Sequence, residues 1–415
     1  MTMTSRQRVI AAIEHRQPDR IPVDLGATPS SGISAIAYAQ LKKHLGLNTG
    51  HVDVYDVVQQ LAQPETSILD RYRIDVVDVG RVFNDRDADW YETTLPDGSA
   101  ARLPTWFRPQ RREDGHWIAS NRAGQPIAAM PIGATFYDQT IFPWVDGYPS
   151  GMAGLDDAMA QVHWAALVHS PWDHAHEAGF WDDLRRRALA LRASTDRAIM
   201  VVCGCNLFEW GTFLRRMDNF FMDIAEPDAP VEAFLDALME RHLATLEKVC
   251  RAVGDVVDIL RFGDDLGADS GPFMSPATYR RLFKPRHAQL CAYVHSHSQM
   301  KTFLHSCGSI YRLLPDLIAA GYDIINPVQT VCRDMEPERL KREFGKDICF
   351  WGGGSDTRAV LNRGTVQEVR DDVRRRLDIL APGGGFVFNP IHNILPDVPP
   401  ANIEAMFAAI AEYGK

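Results

Sequence analysis

No stretch of this chain approaches the roughly 18 consecutive apolar residues that a bilayer-spanning helix needs. The first residues, Met1-Thr2-Met3-Thr4-Ser5-Arg6-Gln7-Arg8, run into an amphipathic helical pattern without the apolar segment of a secretory signal. Blocks of basic residues are missing too. The formal net charge is -10, so neither nucleic acid nor an anionic membrane is an expected partner. The triplets Arg185-Arg186-Arg187 and Arg374-Arg375-Arg376 fall in helical patterns and read as solvated faces. No internal repeat or low-complexity tract is visible. No G-x-G-x-x-G follows the first strand pattern, which removes the usual dinucleotide fingerprint. The seven cysteines, an odd number in a chain without a secretory signal, predict a reducing compartment and a cytoplasmic protein.

What the chain does have is regular alternation. Of its 415 residues 46% are hydrophobic and 24% charged, the balance of a soluble globular enzyme. Beyond residue 195, short apolar strand patterns at 198–203, 256–262, 301–305, 323–327, 348–352 and 385–389 alternate with helical patterns at 230–253, 275–298, 309–320, 335–344, 365–380 and 400–413. Strands that are apolar throughout belong to parallel sheets covered on both faces. Two earlier patterns, 20–25 and 74–79, bring the strands to eight. Eight βα units predict a (β/α)8 TIM-type barrel of the α/β class, one domain over 1–415, with an open doubly wound sheet as the alternative. The segment 84–150 breaks the alternation. It is rich in aromatics and carries turn signals at Pro96-Asp97-Gly98 and Glu113-Asp114-Gly115, so it reads as inserted β-hairpins. Its aromatics either form a small core of their own or shape a pocket over the active site.

In such a barrel the chemistry lies at the C-terminal ends of the strands. Almost every predicted end is polar, metal-capable or glycine-rich. They include Asp24; Cys203-Gly204-Cys205-Asn206; Gly263-Asp264-Asp265; His305-Ser306-Cys307-Gly308; Gln329; Trp351-Gly352-Gly353-Gly354; and Asn389-Pro390-Ile391-His392-Asn393. Residues i and i+2 of a strand share a face, so His305 and Cys307 aim at one point, and zinc favours that pair of ligands. Asp264, Asp265 and Asp24 are candidate catalytic carboxylates, as general acid or base, with helix caps as the bland reading of the Asp264–Asp265 pair. Asn206, Gln329, Trp351, Gly353 and Asn389 are candidate substrate contacts. Cys203 and Cys205 read as small apolar fillers, and His295 and His297 as surface residues of a helix.

The segments Asp19-Arg20-Ile21-Pro22-Val23-Asp24, Gly271-Pro272-Phe273-Met274-Ser275-Pro276, 303–308, Phe350-Trp351-Gly352-Gly353-Gly354 and 389–400 resemble the uroporphyrinogen decarboxylase superfamily. That group contains porphyrinogen decarboxylases and zinc- and corrinoid-dependent methyltransferases, and its fold is a distorted TIM barrel. The Arg-Gln-Ala-Gly-Arg-Tyr type segment by which decarboxylases grip carboxylates is not found. The His-x-Cys at 305–307 resembles the methyltransferase branch. The third zinc ligand of that branch, usually Cys, falls on His392 here. The resemblance therefore implies a zinc site of His305, Cys307 and His392. It further implies a methyltransferase of O-demethylase type, with zinc as Lewis acid and Asp264 or Asp265 orienting or protonating the leaving oxygen. The methyl group would pass from a small, methoxylated substrate to a corrinoid (cobalamin) on a partner protein, since no Asp-x-His-x-x-Gly run is present, and the enzyme would be a homodimer. A metal-free decarboxylase or lyase, and a non-catalytic barrel that binds a corrinoid protein or small ligand, stand as the competing readings.

Overall fold

The computed structural model describes residues 2–121, 124–166, 169–226 and 230–415. Seven parallel strands form one curled sheet: β1 (Val76–Asp78), β2 (Ala198–Gly204), β3 (Ile259–Gly263), β4 (Lys301–His305), β5 (Ile324–Asn326), β6 (Cys349–Trp351) and β7 (Phe386–Val387). They pair in sequence order from β7 to β1, each with its chain neighbour, as right-handed βα units wind. The chain is an α/β barrel.

The pattern at 20–25 predicts an eighth strand, and here the structure differs. The segment takes the eighth position but reduces to a single bridge, Val23 opposite Phe388. Phe388 N donates to Pro22 O (2.9 Å) and Asp24 N to Phe388 O (2.8 Å) on one side, while Asp75 N donates to Val23 O (2.8 Å) on the other. Pro22 has no N–H to extend the ladder, and the Val23 N–H goes to the Asp75 carboxylate (2.9 Å) rather than to a strand carbonyl. Asp75 is fully buried and paired with Arg8 (2.8 Å) and Arg20 (2.7 Å), so a charge cluster closes the barrel at its N-terminal end. Arg20, within one of the family-like segments, is thus committed to closure.

Alternation along the strands separates two cores. Val76, Met200, Ile259, Phe303, Ile324, Cys349, Trp351 and Val387 point inward and meet Val9, Ala12 and Ile13 of the N-terminal helix (Ser5–Ile13), which plugs the barrel floor. Val201, Leu260, Leu304, Ile325 and Phe350 point outward into the larger core beneath the helices. Fully buried side chains such as Phe303 and Trp351 each contribute about 1.5–3 kcal/mol. The single helix expected over 275–298 is two, Pro276–Leu282 and Lys284–His297. Pro285, without an N–H, starts a new helix after Phe283 instead of continuing the old one.

Between 90 and 139 the chain forms a hairpin (Trp90–Thr94 with Ala100–Pro104) and a four-stranded antiparallel sheet from Gln110–Arg111 to Asp138–Gln139. Leu95 N donates to Ser99 O (2.9 Å) across the first turn and Arg112 N to His116 O (2.8 Å) across the second. Of the aromatics in this region, Phe107, Tyr137 and Trp144 join the outer core of the barrel. Trp144 lies 5.8 Å from Phe234 of the helix Val231–Val253. No helix among the described residues is long and apolar enough to cross a membrane.

Candidate metal centre

His305 is the last residue of β4 and shares the inward face of Phe303. Two residues on, Cys307 enters the same space. The turn that puts it there depends on Gly308, whose φ is +85° and whose Cβ would lie 2.2 Å from the backbone of Gly267. His392 comes from the loop after β7. One ligand atom from each of His305, Cys307 and His392 lies within 4.8 Å of the other two. Cys307 Sγ is 3.5 Å from His305 Nε2, and the two imidazole centroids are 5.9 Å apart.

The polar groups behind His305 settle its tautomer. Asn326 Nδ2 donates to the carbonyl of Trp351 (2.8 Å), which turns its Oδ1 toward His305 Nδ1 (2.8 Å) and Ser30 Oγ (2.6 Å). An oxygen there can only accept, so Nδ1 carries the hydrogen and Nε2 presents its lone pair to Cys307. Burial, reinforced by the charge of Arg261, pushes His305 down to about 3, so the ring is neutral near pH 7. Burial also lowers His392. The Cys307 thiol is pushed well up by burial and by the carboxylates of Asp265 and Glu209. One sulfur and two neutral imidazoles, one of them oriented from behind by an amide oxygen, suit a borderline-soft divalent ion. A bound cation would reverse the penalty on the thiolate.

The two aspartates predicted at the end of β3 part company. Asp265 faces the centre: its Oδ1 accepts the Cys307 N–H (2.8 Å) and lies 3.4 Å from His305 Nε2. Asp264, expected as a catalytic carboxylate, is fully buried and turned away. It accepts the N–H groups of Leu207 (3.1 Å), Phe208 (2.7 Å) and Glu209 (3.0 Å) and lies 3.0 Å from His287 Nε2. These bonds hold the start of the helix Phe208–Arg215, so Asp264 is a positioning residue.

The other predicted contacts divide similarly. Asn206 is close to the centre, its amide donating to Glu209. Gln329 Oε1 accepts the Gly308 N–H and steadies the Cys307 turn. Asn389 gives Nδ2 to Pro390 O, and its buried Oδ1 has no partner among the described residues. Asp24 and Trp351 lie inside the barrel, buried and bonded to each other (2.9 Å), rather than open to a substrate. Burial raises Asp24 to about 6. Gly353 is a packing residue: a Cβ would come within 3.1 Å of Val328, and its carbonyl accepts from Arg376 (2.9 Å). The aromatics Trp106 and Phe107 line a separate cavity of about 860 Å³ with Trp164, Trp172 and Trp210, outside the barrel against the outward-facing Cys203. Cys203 and Cys205 are buried with their sulfurs 3.7 Å apart.

Two groups at the centre escape a reading by strand ends. Glu209, in the first turn of its helix, looks like an ordinary acidic N-terminal residue. In the fold it is raised to about 8 by burial and by the nearby Asp265 and Asp264. Arg261 interrupts the apolar body of β3, a signal that was readable. Its inward direction follows from its neighbours on the strand, since Ile259 faces in while Leu260 and Phe262 face out.

Residues 209–413 match the family model of uroporphyrinogen decarboxylase (URO-D). Among solved structures, the chain is similar to a methyltransferase from Methanosarcina mazei at 18% sequence identity and a TM-score of 0.57, over 99% of each chain. No curated protein matches the sequence.

Proposed function

We propose that this chain, which carries a uroporphyrinogen decarboxylase family domain, is a zinc-dependent methyltransferase of the demethylase type. It takes a methyl group from a small methoxylated substrate and passes it to a corrinoid carried by a separate protein. The observation that carries this reading is the convergence of His305, Cys307 and His392 at the open end of a barrel, with the His305 tautomer set for metal binding. The likeness in fold to a methyltransferase supports it.

Zinc held by the three residues would supply Lewis acidity at the substrate oxygen. The chain's own groups do the rest. Ser30 and Asn326 keep Nε2 of His305 aimed at the centre. Asp265 fixes the backbone of Cys307. Glu209, raised to about 8, holds a proton near pH 7 and is the group that gives it to the leaving oxygen, which retains the electron pair of the broken C–O bond. Asn206 orients Glu209 by its amide.

Metal content tests the reading. Protein purified without chelator should contain about one zinc per chain by plasma mass spectrometry, and Cys307→Ala and His392→Ala should both lose it. Loss with Cys307→Ala alone would move the third ligand to another group. No metal in any sample, even after zinc is supplied, would sink the methyl-transfer reading and bring a metal-free decarboxylase forward.

A further inference from the structure

The cavity of about 860 Å³ outside the barrel is far larger than the voids that close packing leaves. Trp106, Trp164, Trp172, Trp181 and Trp210 all line it. Indole rings bury most surface by packing on one another. Among the described residues only Trp172 and Trp181 of these five meet, with ring centroids 6.3 Å apart. The floor is fixed: Trp172 Nε1 donates to the carbonyl of Val202 on β2, and Cys203, Cys205 and Trp210 are buried beside it. The rim, with Trp106, Arg108, Asp156 and His176, is exposed. An aromatic floor under a polar rim, at this volume, is the build of a small-molecule site.

The charges that line the cavity balance. Arg108 and Arg241 stand against Asp156 and Asp173. Arg241 pairs with Asp156 (2.9 Å), and Arg108 lies over the Tyr91 ring (4.2 Å). Burial lowers His163, and His242 to about 4, so both rings are neutral near pH 7. A ligand of either sign would enter without a compensating charge, so the balance selects a neutral one. Two polar atoms are left over. The Asp173 side chain is 7% exposed. Its Oδ2 accepts from Asn84 Nδ2 (2.8 Å) and Ser170 Oγ (3.2 Å), while Oδ1 has no hydrogen-bond partner among the described residues. His174 Nε2 lies 3.8 Å from Oδ1 but is taken by Asn84 Oδ1 (2.7 Å). Trp164 Nε1 is also buried without a partner among the described residues. One atom is an acceptor and the other a donor. A hydroxyl suits both, since it donates one hydrogen and accepts on its oxygen.

We propose that this cavity is a second binding site and takes a neutral, planar aromatic that carries a hydroxyl group, a phenol of one or two rings. The rings lie among the indoles, and the hydroxyl donates to Asp173 Oδ1 and accepts from Trp164 Nε1. None of His305, Cys307, His392, Asp265 and Glu209 lines this space. The two sites share a wall instead. Cys205 and Trp210 face the cavity from the segment that carries Asn206 and Glu209 to the metal centre, and His242 Nε2 lies 2.9 Å from the carbonyl of Asn206. Binding here depends neither on zinc nor on the methyl-transfer reading.

Calorimetry on the full chain compares 5-indanol with 5-fluoroindane, which has the same rings, no hydrogen to donate and no methoxy group for the metal centre. The wild type should bind the phenol at least about tenfold more tightly, zinc-loaded or stripped by chelator, the weight of one hydrogen bond to a carboxylate. Asp173→Asn should erase the preference. Its amide oxygen stays with the donors Asn84 and Ser170, so the amide nitrogen replaces Oδ1 and offers a donor where the phenol needs an acceptor. Trp164→Phe keeps a ring, removes the Nε1 donor and should weaken 5-indanol about fivefold. A wild type that binds neither compound, or both equally, overturns the assignment without any variant. So does a preference that survives Asp173→Asn, or an affinity unchanged by Trp164→Phe. A preference that vanishes with the zinc also overturns it, because the phenol then sits at the metal centre, and the methyl-transfer reading is left standing.

Discussion

Asn326 Oδ1 lies 2.8 Å from His305 Nδ1, and this contact decides which nitrogen of the imidazole faces Cys307. The amide is itself oriented by the Trp351 carbonyl and by Ser30, so the preference is built three groups deep. Asn326→Ala frees the ring to rotate and removes the acceptor for Nδ1–H. Zinc affinity, measured by competition with a chromogenic chelator, should fall about 10–100-fold. An unchanged affinity would show that the ring is held by other means.

Zinc affinity should climb with pH. The Cys307 thiol is raised well above its usual range, so metal binding must displace its proton, whereas His305, lowered to about 3, is already neutral. One proton released per ion gives about a tenfold gain in affinity per pH unit between pH 6 and 8. Titrations in buffers of different ionisation enthalpy count that proton directly; a value near zero would place the thiolate there before the metal.

Glu209 makes a kinetic prediction. A general acid raised to about 8 leaves the rate level below that pH and lets it fall above it. Glu209→Gln should lower kcat by about 10²–10⁴-fold and remove the alkaline limb. An alkaline limb that survives in the variant would assign the proton to another group.

The same ionisations govern stability. Glu209, at about 8, and Asp24 and Asp78, each at about 6, bind protons in the folded chain more tightly than in the unfolded one. Their contribution is complete below the unfolded carboxylate range near 4 and is lost as pH rises through 6 to 8. Buried histidines such as His305 and His242, lowered on folding, oppose this loss up to their ordinary range near 6.5, so urea midpoints should decline from pH 7 to pH 8, and Glu209→Gln should flatten that slope. A midpoint that rises over the interval would contradict these assignments.

Asp264→Ala removes the acceptor for three buried N–H groups and the partner of His287. Loss of stability by about 3 kcal/mol or more is expected in denaturant titrations. Zinc content in the folded fraction should persist, which separates this positioning carboxylate from Asp265.

Much of this protein could be read from its residues in order. Short, continuously apolar strands spaced by helices imply a parallel barrel, because only a sheet covered on both faces buries such strands. Period-two alternation puts His305 and Cys307 on one face before any fold is known. Tertiary structure alone decided the rest. Asp264 and Asp265 are neighbours of the same type, yet one caps a helix and the other faces the centre, because the end of β3 turns between them. His392 meets His305 only because closure of the barrel brings β7 and β4 to a common mouth. The strand expected at 20–25 shrank to one bridge, since Pro22 lacks a donor and Asp75 takes the N–H of Val23. Glu209 acquires its chemistry from burial beside the charges of Asp265 and Asp264. Burial and proximity belong to the closed barrel and have no counterpart in a list of residues.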